Sequence, residues 1–369
     1  MFKIKTHHLW IFIIWTGCQM LRTQPLRLQS EQLGTGGLSF ELWNANRQTL
    51  SQFAMPLTYI FPYSDKVRIY AVTSPALSTW SHDVHAQMAG LSDIKMGGHI
   101  LTMNDKLLIT FGFNIAVGKE NLNVEESSVA AHLANPALDF SVPCLGQGAD
   151  LQIGASRAGE WGDFIVGYGL TFIMKGSYRP LKIYDARYEP GNEISLTGGL
   201  SREARIFNRD MNITADMLYS IYSNDQFGNT RFLSSGNRML IQLMSQFREG
   251  PLDMIVFIRD RIKGKNEHFI EQNRDGTHGN QFELQVYGYH EMRKNLRVHG
   301  LTDMKLFASN KSGTGGARLI GIGGGFRKQI SRQLASNGEI RVYTGSLKTG
   351  AEWFGAFGLK IFGGVTYTF

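Results

Sequence analysis

The residues of this sequence with the most capacity for chemistry are charged side chains placed at every second position, opposite rows of apolar ones. Lys95, Asp216, Arg297, Asp303, Lys305 and Arg318 all sit this way. In a strand, alternate side chains point to opposite faces, so these six share the face that the apolar rows avoid. If the apolar rows face lipid, a charge among them costs about 2–4 kcal/mol at the membrane midplane. The six are therefore expected to point into a lumen or to lie near a rim. Charges of both signs around a polar lumen set up a transverse field that filters solutes. The other reading is that they pair with one another and fill the wall.

Other chemistry is poorly supported. Gly313-Thr-Gly-Gly316 and Gly321-Ile-Gly-Gly-Gly325 have the composition of a phosphate loop, but no Gly-Lys-Ser/Thr is present and a strand follows. A phosphate loop needs a helix N-terminus there, so these read as strand glycines. His82 and His85 lie three apart beside Asp83, with no second His or Cys pair at metal-ligand spacing. No nucleophile phrase is recognisable. No catalytic residue, metal or cofactor is expected, although scattered residues on a barrel rim could still form an enzyme. Cys18 and Cys144 are the only cysteines, too few for a disulfide framework or a cysteine metal site.

The elements that must carry the charged positions are long strands. Leu107, Ile109, Phe111, Phe113, Ile115 and Val117 alternate with Lys106, Leu108, Thr110, Gly112, Asn114 and Ala116. Similar alternation starts at Phe164, Met211 and Leu296 and runs for a dozen residues, twice the usual length of a strand in a soluble sandwich. Short turns are expected at 62–66, 103–106, 158–162, 202–208, 248–251, 290–294 and 331–338. Between them fall long connections at 74–91, 119–147, 176–191, 223–235 and 264–281. Strict alternation of short and long connections marks outer-membrane barrels, with short turns on the periplasmic side and long loops outside. The pattern predicts an all-β fold, a transmembrane antiparallel barrel of about sixteen strands. The count is fourteen if Leu38–Trp43 and one neighbour are left out. Within the 119–147 connection, Val129, Ala130, Leu133 and Leu138 make an apolar helical face, and this loop is expected to fold into the mouth or to form a surface lid.

The last strand is the most specific segment. Counting back by twos gives Phe369, Tyr367, Val365, Gly363, Ile361, Leu359, Phe357, Gly355 and Trp353. This row is apolar with aromatics at both ends, as a lipid-facing girdle requires. It resembles the terminal strand of bacterial outer-membrane barrels. That resemblance implies that Phe369, Tyr367 and Val365 form a signal read by the barrel-assembly machinery.

At the N-terminus, Met-Phe-Lys-Ile-Lys-Thr-His-His precedes the apolar run Leu9–Trp15, which is too short to span a bilayer and reads as a secretory signal. Residues 1–23 are expected to be that signal and 24–369 a single barrel domain. Hydrophobic content is 43 %, too low for a helical membrane protein, and the chain has 42 glycines and 9 prolines. The net charge of +7 is modest, and the densest basic run, Arg259–Lys265, is short and lacks interleaved aromatics. It suits a rim facing anionic headgroups better than nucleic acid. Outer-membrane lipid and lipopolysaccharide are the expected surroundings, and nucleic acid is not an expected partner.

Some phrases go further. Gly90-Leu-Ser-Asp-Ile-Lys-Met-Gly-Gly98, Asn135-Pro-Ala-Leu-Asp-Phe140, Gln147-Gly-Ala-Asp-Leu-Gln-Ile-Gly154, Lys175-Gly-Ser-Tyr-Arg-Pro180 and Pro190-Gly-Asn-Glu193 are similar to segments of the long-chain fatty acid and aromatic-hydrocarbon transporter barrels (FadL-like). The resemblance covers about a third of the chain. It implies passive passage of small solutes, hydrophobic ones among them. Transporters of this type carry an Asn-Pro-Ala phrase in an N-terminal plug, whereas here Asn135–Ala137 falls mid-chain, and no binding residue is transferred. The rival expectation is a non-conducting barrel that serves as an anchor or docking platform.

Overall fold

Long alternating strands leave each backbone group to be satisfied by a neighbour, and a sheet in lipid can do that for every strand only by closing on itself. This sheet closes. In the computed structural model, which describes residues 32–369 except 83–84, 104, 207–208, 270–272, 276–278 and 312, strand Leu33–Ala45 pairs antiparallel with the last strand, Glu352–Thr368. The register runs from Leu33 opposite Thr368 to Ala45 opposite Ala356. The result is an antiparallel barrel of sixteen strands, as the alternation predicts. The expected signal segment lies outside the described residues.

Side chains exposed on the outer surface are those of the predicted apolar rows. Tyr168, Leu170, Phe172 and Met174 are exposed along one strand, and Phe357, Ile361, Val365 and Tyr367 along the last. An all-round belt of exposed apolar side chains is the outer wall of a barrel that sits in a bilayer. Glycines on the inner face make room for large neighbours. A Cβ at Gly358 would meet the Trp43 ring at 2.7 Å, and one at Gly321 the Tyr343 ring at 2.5 Å.

Leu33 and Thr368, which pair at the closing seam, lie at the end with short turns. At the other end the connections 116–149, 176–192, 223–237, 264–280 and 308–316 are long, but 46–47 and 350–351 are two-residue hairpins. Strict alternation therefore fails there. Asn46 and Arg47 both have positive φ (50° and 61°), the backbone of a tight hairpin turn. The connection expected over 74–91 is also not a loop. It forms a hairpin of Pro75–Ser81 and His85–Leu91. Its inward positions, Ala76, Ser78, Ala86 and Met88, are buried under an inserted loop, so the polar/apolar alternation that would have revealed strands is absent.

Three neighbouring strands are interrupted at one level, at Met55-Pro56, Ser74 and Ser92-Asp93. Backbone bonds stitch the seam: Met55 N to Pro75 O at 2.9 Å and Ser92 N to Ser74 O at 2.9 Å. Above it, His85–Leu91 pairs with Pro75–Ser81 on one edge. Its other edge meets no strand among the described residues. Lys119 covers it, with its ammonium 3.3 Å from Ala89 O and its backbone N–H 3.3 Å from Leu91 O. An edge left bare would invite strand addition.

Candidate functional site

The 116–149 loop turns back into the barrel. Its helix α1 (Val124–Leu133) starts with a capping box. Asn123 Oδ1 accepts from Glu126 N at 2.8 Å, and Glu126 Oε2 accepts from Asn123 N at 3.0 Å. The two satisfy orphan donors reciprocally. Val129 and Leu133 are buried, with Ala130 packed beside them and Leu138, Phe140 and Val142 following in the descending chain. They meet Trp43, Leu50, Met88, Leu319, Tyr343 and Leu347 of the wall in the main hydrophobic core of the protein. Burial of each such large side chain contributes about 1.5–3 kcal/mol. The expected apolar face is real, and it faces inward.

Polar contacts fix where the loop sits. Lys305, 1 % exposed, donates to Ala137 O at 3.3 Å, lies 3.6 Å from Asp139 Oδ2 and sits 5.1 Å over the Tyr343 ring. Lys360 donates to Asp139 O and lies 3.8 Å from Glu41 Oε1. Glu41 accepts from Ser141 N (2.9 Å) and Ser141 Oγ (2.7 Å). Gln52 exchanges two bonds with the Val142 backbone, at 2.7 and 2.8 Å. The Asn135–Phe140 phrase is thus the part of the loop that grips the wall, although it lies mid-chain.

Asp93 holds both ends of the loop. Its carboxylate accepts from Gly118 N at 2.8 Å, Gln147 N at 2.8 Å and Asn114 Nδ2 at 3.0 Å, and its own N–H donates to Leu145 O at 2.8 Å. Asp93 is 4 % exposed. Neither Asp93 nor Glu41, Gln52 and Lys360 was expected from sequence. The parity of their strands was the available signal, since Glu41 stands between Phe40 and Leu42 on the row opposite the exposed one.

Of the six charged candidates, Lys95, Asp216, Arg297, Asp303 and Lys305 lie on inward rows. Asp303 accepts from Tyr343 OH at 3.0 Å. Arg297, near the short-turn end, pairs with Asp253 and lies 4.6 Å over the Tyr289 ring. Lys95 stands beside Cys144 and Asp93 at a small cavity under the loop. Arg318 is different. Ala317 and Leu319 on either side of it are fully buried inward, while Ile320 is 54 % exposed outward. Arg318 therefore faces out at the long-loop rim and takes no part in the lumen. The basic run also differs from expectation. Arg259 and Arg261 are inward and share Glu283, at 3.2 and 2.8 Å, instead of facing headgroups. Even residue spacing alone does not reveal which row is inside; the partner across the wall decides it. His82 packs parallel to the Trp80 ring, with centroids 6.4 Å apart, and His85 is exposed on the opposite row. No metal-holding cluster of three groups forms among the described residues.

The loop's anchors lie on one side of the barrel. Across from them, the inner faces of Asp150–Trp161, Phe164–Lys175, Glu193–Ile206 and Arg209–Tyr222 carry small groups such as Gly154, Gly169, Thr171, Ser195, Thr214 and Ser220. Ser195 and Ser220 hydroxyls bond at 2.8 Å. Asp216 is the charge at mid-height on this arc, level with Gly199 and Gln242, and its Oδ1 has no hydrogen-bond partner among the described residues.

Two groups in the loop titrate away from their usual range. Burial pushes the Cys144 thiol up to about 11, and the nearby Asp93 carboxylate acts in the same direction. Because the thiolate is the reactive form, maleimide labelling of the folded barrel is expected to be far slower than that of the urea-unfolded chain. Equal rates would contradict the docked loop. For Glu126, burial acts upward, but the hydrogen bond from Lys119 and the capping bond from Asn123 outweigh it and hold the carboxyl low. A depressed carboxyl stabilises the docked loop fully above its ordinary value of 4.5 and loses that contribution as pH falls through the lowered one. Single-channel noise should be flat from about pH 7 to 5 and rise only in stronger acid; a rise at neutral pH would contradict this assignment.

No family model and no curated protein matches the chain. Among solved structures, OprB of Pseudomonas putida aligns over 92 % of this chain and 94 % of its own, at 8 % identity and TM-score 0.46. The outer membrane protein OpdK from Pseudomonas aeruginosa aligns over 91 % and 99 %, at 7 % identity and TM-score 0.45. The monoaromatic hydrocarbon channel CymD aligns over 91 % and 88 %, at 8 % identity and TM-score 0.44. The barrel assignment rests on the strand pairing of this chain itself.

Proposed function

We propose that this protein is a bacterial outer-membrane channel for passive passage of small solutes, which move between the inserted loop and the arc of glycine, serine and threonine facing it. The observation that carries this reading is the one-sided anchoring of the loop by Asp93, Glu41, Gln52, Lys305 and Lys360. Bulk is concentrated on the loop side and on the strands of Ile255, Arg259, Tyr287 and Tyr289, and side chains with little of it line the arc between them. The channel lowers the permeation barrier by replacing water with hydroxyls and charges on the inside and lipid contacts on the outside. No catalytic step is involved.

The test is conductance in planar bilayers. Discrete, reproducible steps in potassium chloride are expected, absent from a heat-denatured sample. Asp216→Asn should then move the reversal potential toward anions. One charge about 4 Å from the path is worth ~1 kcal/mol in water, or roughly fivefold in permeability ratio. An unchanged reversal potential would remove Asp216 from the path.

A second reading is favoured by a specific observation. Arg259, Glu283, Asp303 and Lys305, and on the arc itself Ser195, Thr214 and Ser220, are all below 8 % exposed, as in a wall packed for its own sake. A correctly folded barrel that stays electrically silent would support this non-conducting anchor.

A further inference from the structure

We propose that Arg318 and Lys348, which flank Trp353 on the lipid-facing wall at the long-loop rim, bind a phosphate of lipid A in the outer leaflet. This goes beyond solute passage and rests only on the outer-membrane placement. It does not depend on whether the lumen conducts.

The outward direction of these residues follows from their neighbours. Leu347 and Ala356 are buried in the inner core, so Lys348 on one strand and Trp353 on the next belong to the outer row. Lys348 stands opposite Trp353 in register, and Arg318 stands opposite Leu306 on one side and Ser346 on the other. Leu306 is 44 % exposed. The Arg318 guanidinium lies 4.5 Å from the Trp353 ring centroid. Among the described residues, the polar contact of Lys348 Nζ is a neutral hydroxyl, Ser309 Oγ, at 3.3 Å.

The chemistry of the partner follows from position and charge. Directly beneath Arg318 on the same row are Ile320 and Ile322, 54 % and 66 % exposed, which mark the hydrocarbon zone. Arg318 is two residues above Ile320, roughly 7 Å along the strand, which is headgroup depth. Trp353 at the same level is an interfacial anchor. No carboxylate pairs with Arg318 or Lys348 among the described residues, unlike the inner-wall arginines 259, 261 and 297. Two cations unmatched by protein anions, at the edge of a lipid-facing wall, call for an anion supplied by the lipid. A guanidinium held flat on an indole offers its fork to phosphate oxygens. At the end with the long loops the leaflet is the outer one, where the phosphate-bearing lipid is lipid A.

The full-length barrel, purified in detergent, would be titrated with diphosphorylated hexa-acyl lipid A, with the same lipid stripped of phosphate and with phosphatidylglycerol, and the bound fraction read by native mass spectrometry. The wild type should retain diphosphoryl lipid A best, and Arg318→Gln/Lys348→Gln should retain it about tenfold more weakly. Arg318→Lys, which keeps the charge but loses the fork, should fall between the wild type and the double variant. Heat-modifiable gel migration reports whether each variant is folded; if the double variant is not, Lys348→Gln alone is compared in the same way. Equal retention by wild type and folded variant would overturn the proposal. So would equal retention of the phosphate-free lipid. Phosphatidylglycerol bound as well as lipid A and lost in the variant would assign the pair to any anionic headgroup and overturn lipid A as the occupant.

Discussion

Asp93→Ala is expected to free the inserted loop and raise single-channel conductance severalfold, with added open-channel noise. One buried carboxylate accepts from Gly118, Gln147 and Asn114. These three bonds close a loop of more than thirty residues, 116–149, at both of its ends. Hydrogen bonds to a charged group are worth about 1.5–3 kcal/mol each and are not additive within one network. A loss of about 3–5 kcal/mol shifts the docked-to-undocked ratio by roughly two to four orders of magnitude. The apolar contacts of Val129, Leu133 and Phe140 remain, so the loop should visit the undocked state rather than leave for good, which is the origin of the noise. Asp93→Asn keeps an acceptor oxygen and should fall between. Cys144, two residues from the anchored Gly146-Gln147 segment, should label faster with maleimide in the alanine variant. Unaltered conductance together with unaltered labelling would remove Asp93 as the clasp.

Removing the terminal ring should act on assembly. Phe369 packs edge-on against Tyr367 (4.8 Å) and against Tyr59 of the second strand (6.1 Å), and its N–H donates to Gln32 O at 3.0 Å. It therefore sits on the closing seam between the first and last strands. Each aromatic pair is worth about 0.5–1.5 kcal/mol beyond burial, so Phe369→Ala should destabilise the purified barrel by about 1–3 kcal/mol in urea titration. If the assembly machinery reads Phe369, Tyr367 and Val365, as the resemblance of the last strand implies, membrane-inserted protein in cells should fall by more than the roughly 5- to 150-fold change in folded-to-unfolded ratio that this stability loss alone explains. A cellular loss equal to the loss in vitro would leave the ring a purely structural role.

The outer wall was legible because one rule, alternation, acts on it without interference. Lipid imposes the same apolar demand on every strand, and Tyr168, Leu170 and Phe172 obey it along their whole length. The inner wall obeys no single rule. Where the apolar face of the inserted loop packs on it, inward positions are apolar or small, as at Ala76, Ala86 and Met88, and the hairpin 75–91 therefore reads as a loop. Other inward positions are charged, under the loop at Lys305 and away from it at Asp216, and even spacing singles out both, together with Asp303. Parity also admits an outward residue at the rim, where the cost of charge falls away, and Arg318 is that case. Asp93 was visible only as part of a loop-like phrase. Its function depends on two backbone segments, near 118 and 147, that approach it only in three dimensions.

The claim that solutes move along the glycine-serine-threonine arc is tested most directly by placing a reactive thiol there. In a Cys144→Ser background, Ser195→Cys would be recorded in a planar bilayer before and after a negatively charged methanethiosulfonate reagent is added. Ser195 points inward on the arc, bonded to Ser220 across the strand pair. A stepwise, irreversible fall in conductance with a shift of selectivity toward cations is expected. Complete labelling, verified by mass, with conductance and selectivity unchanged would contradict it.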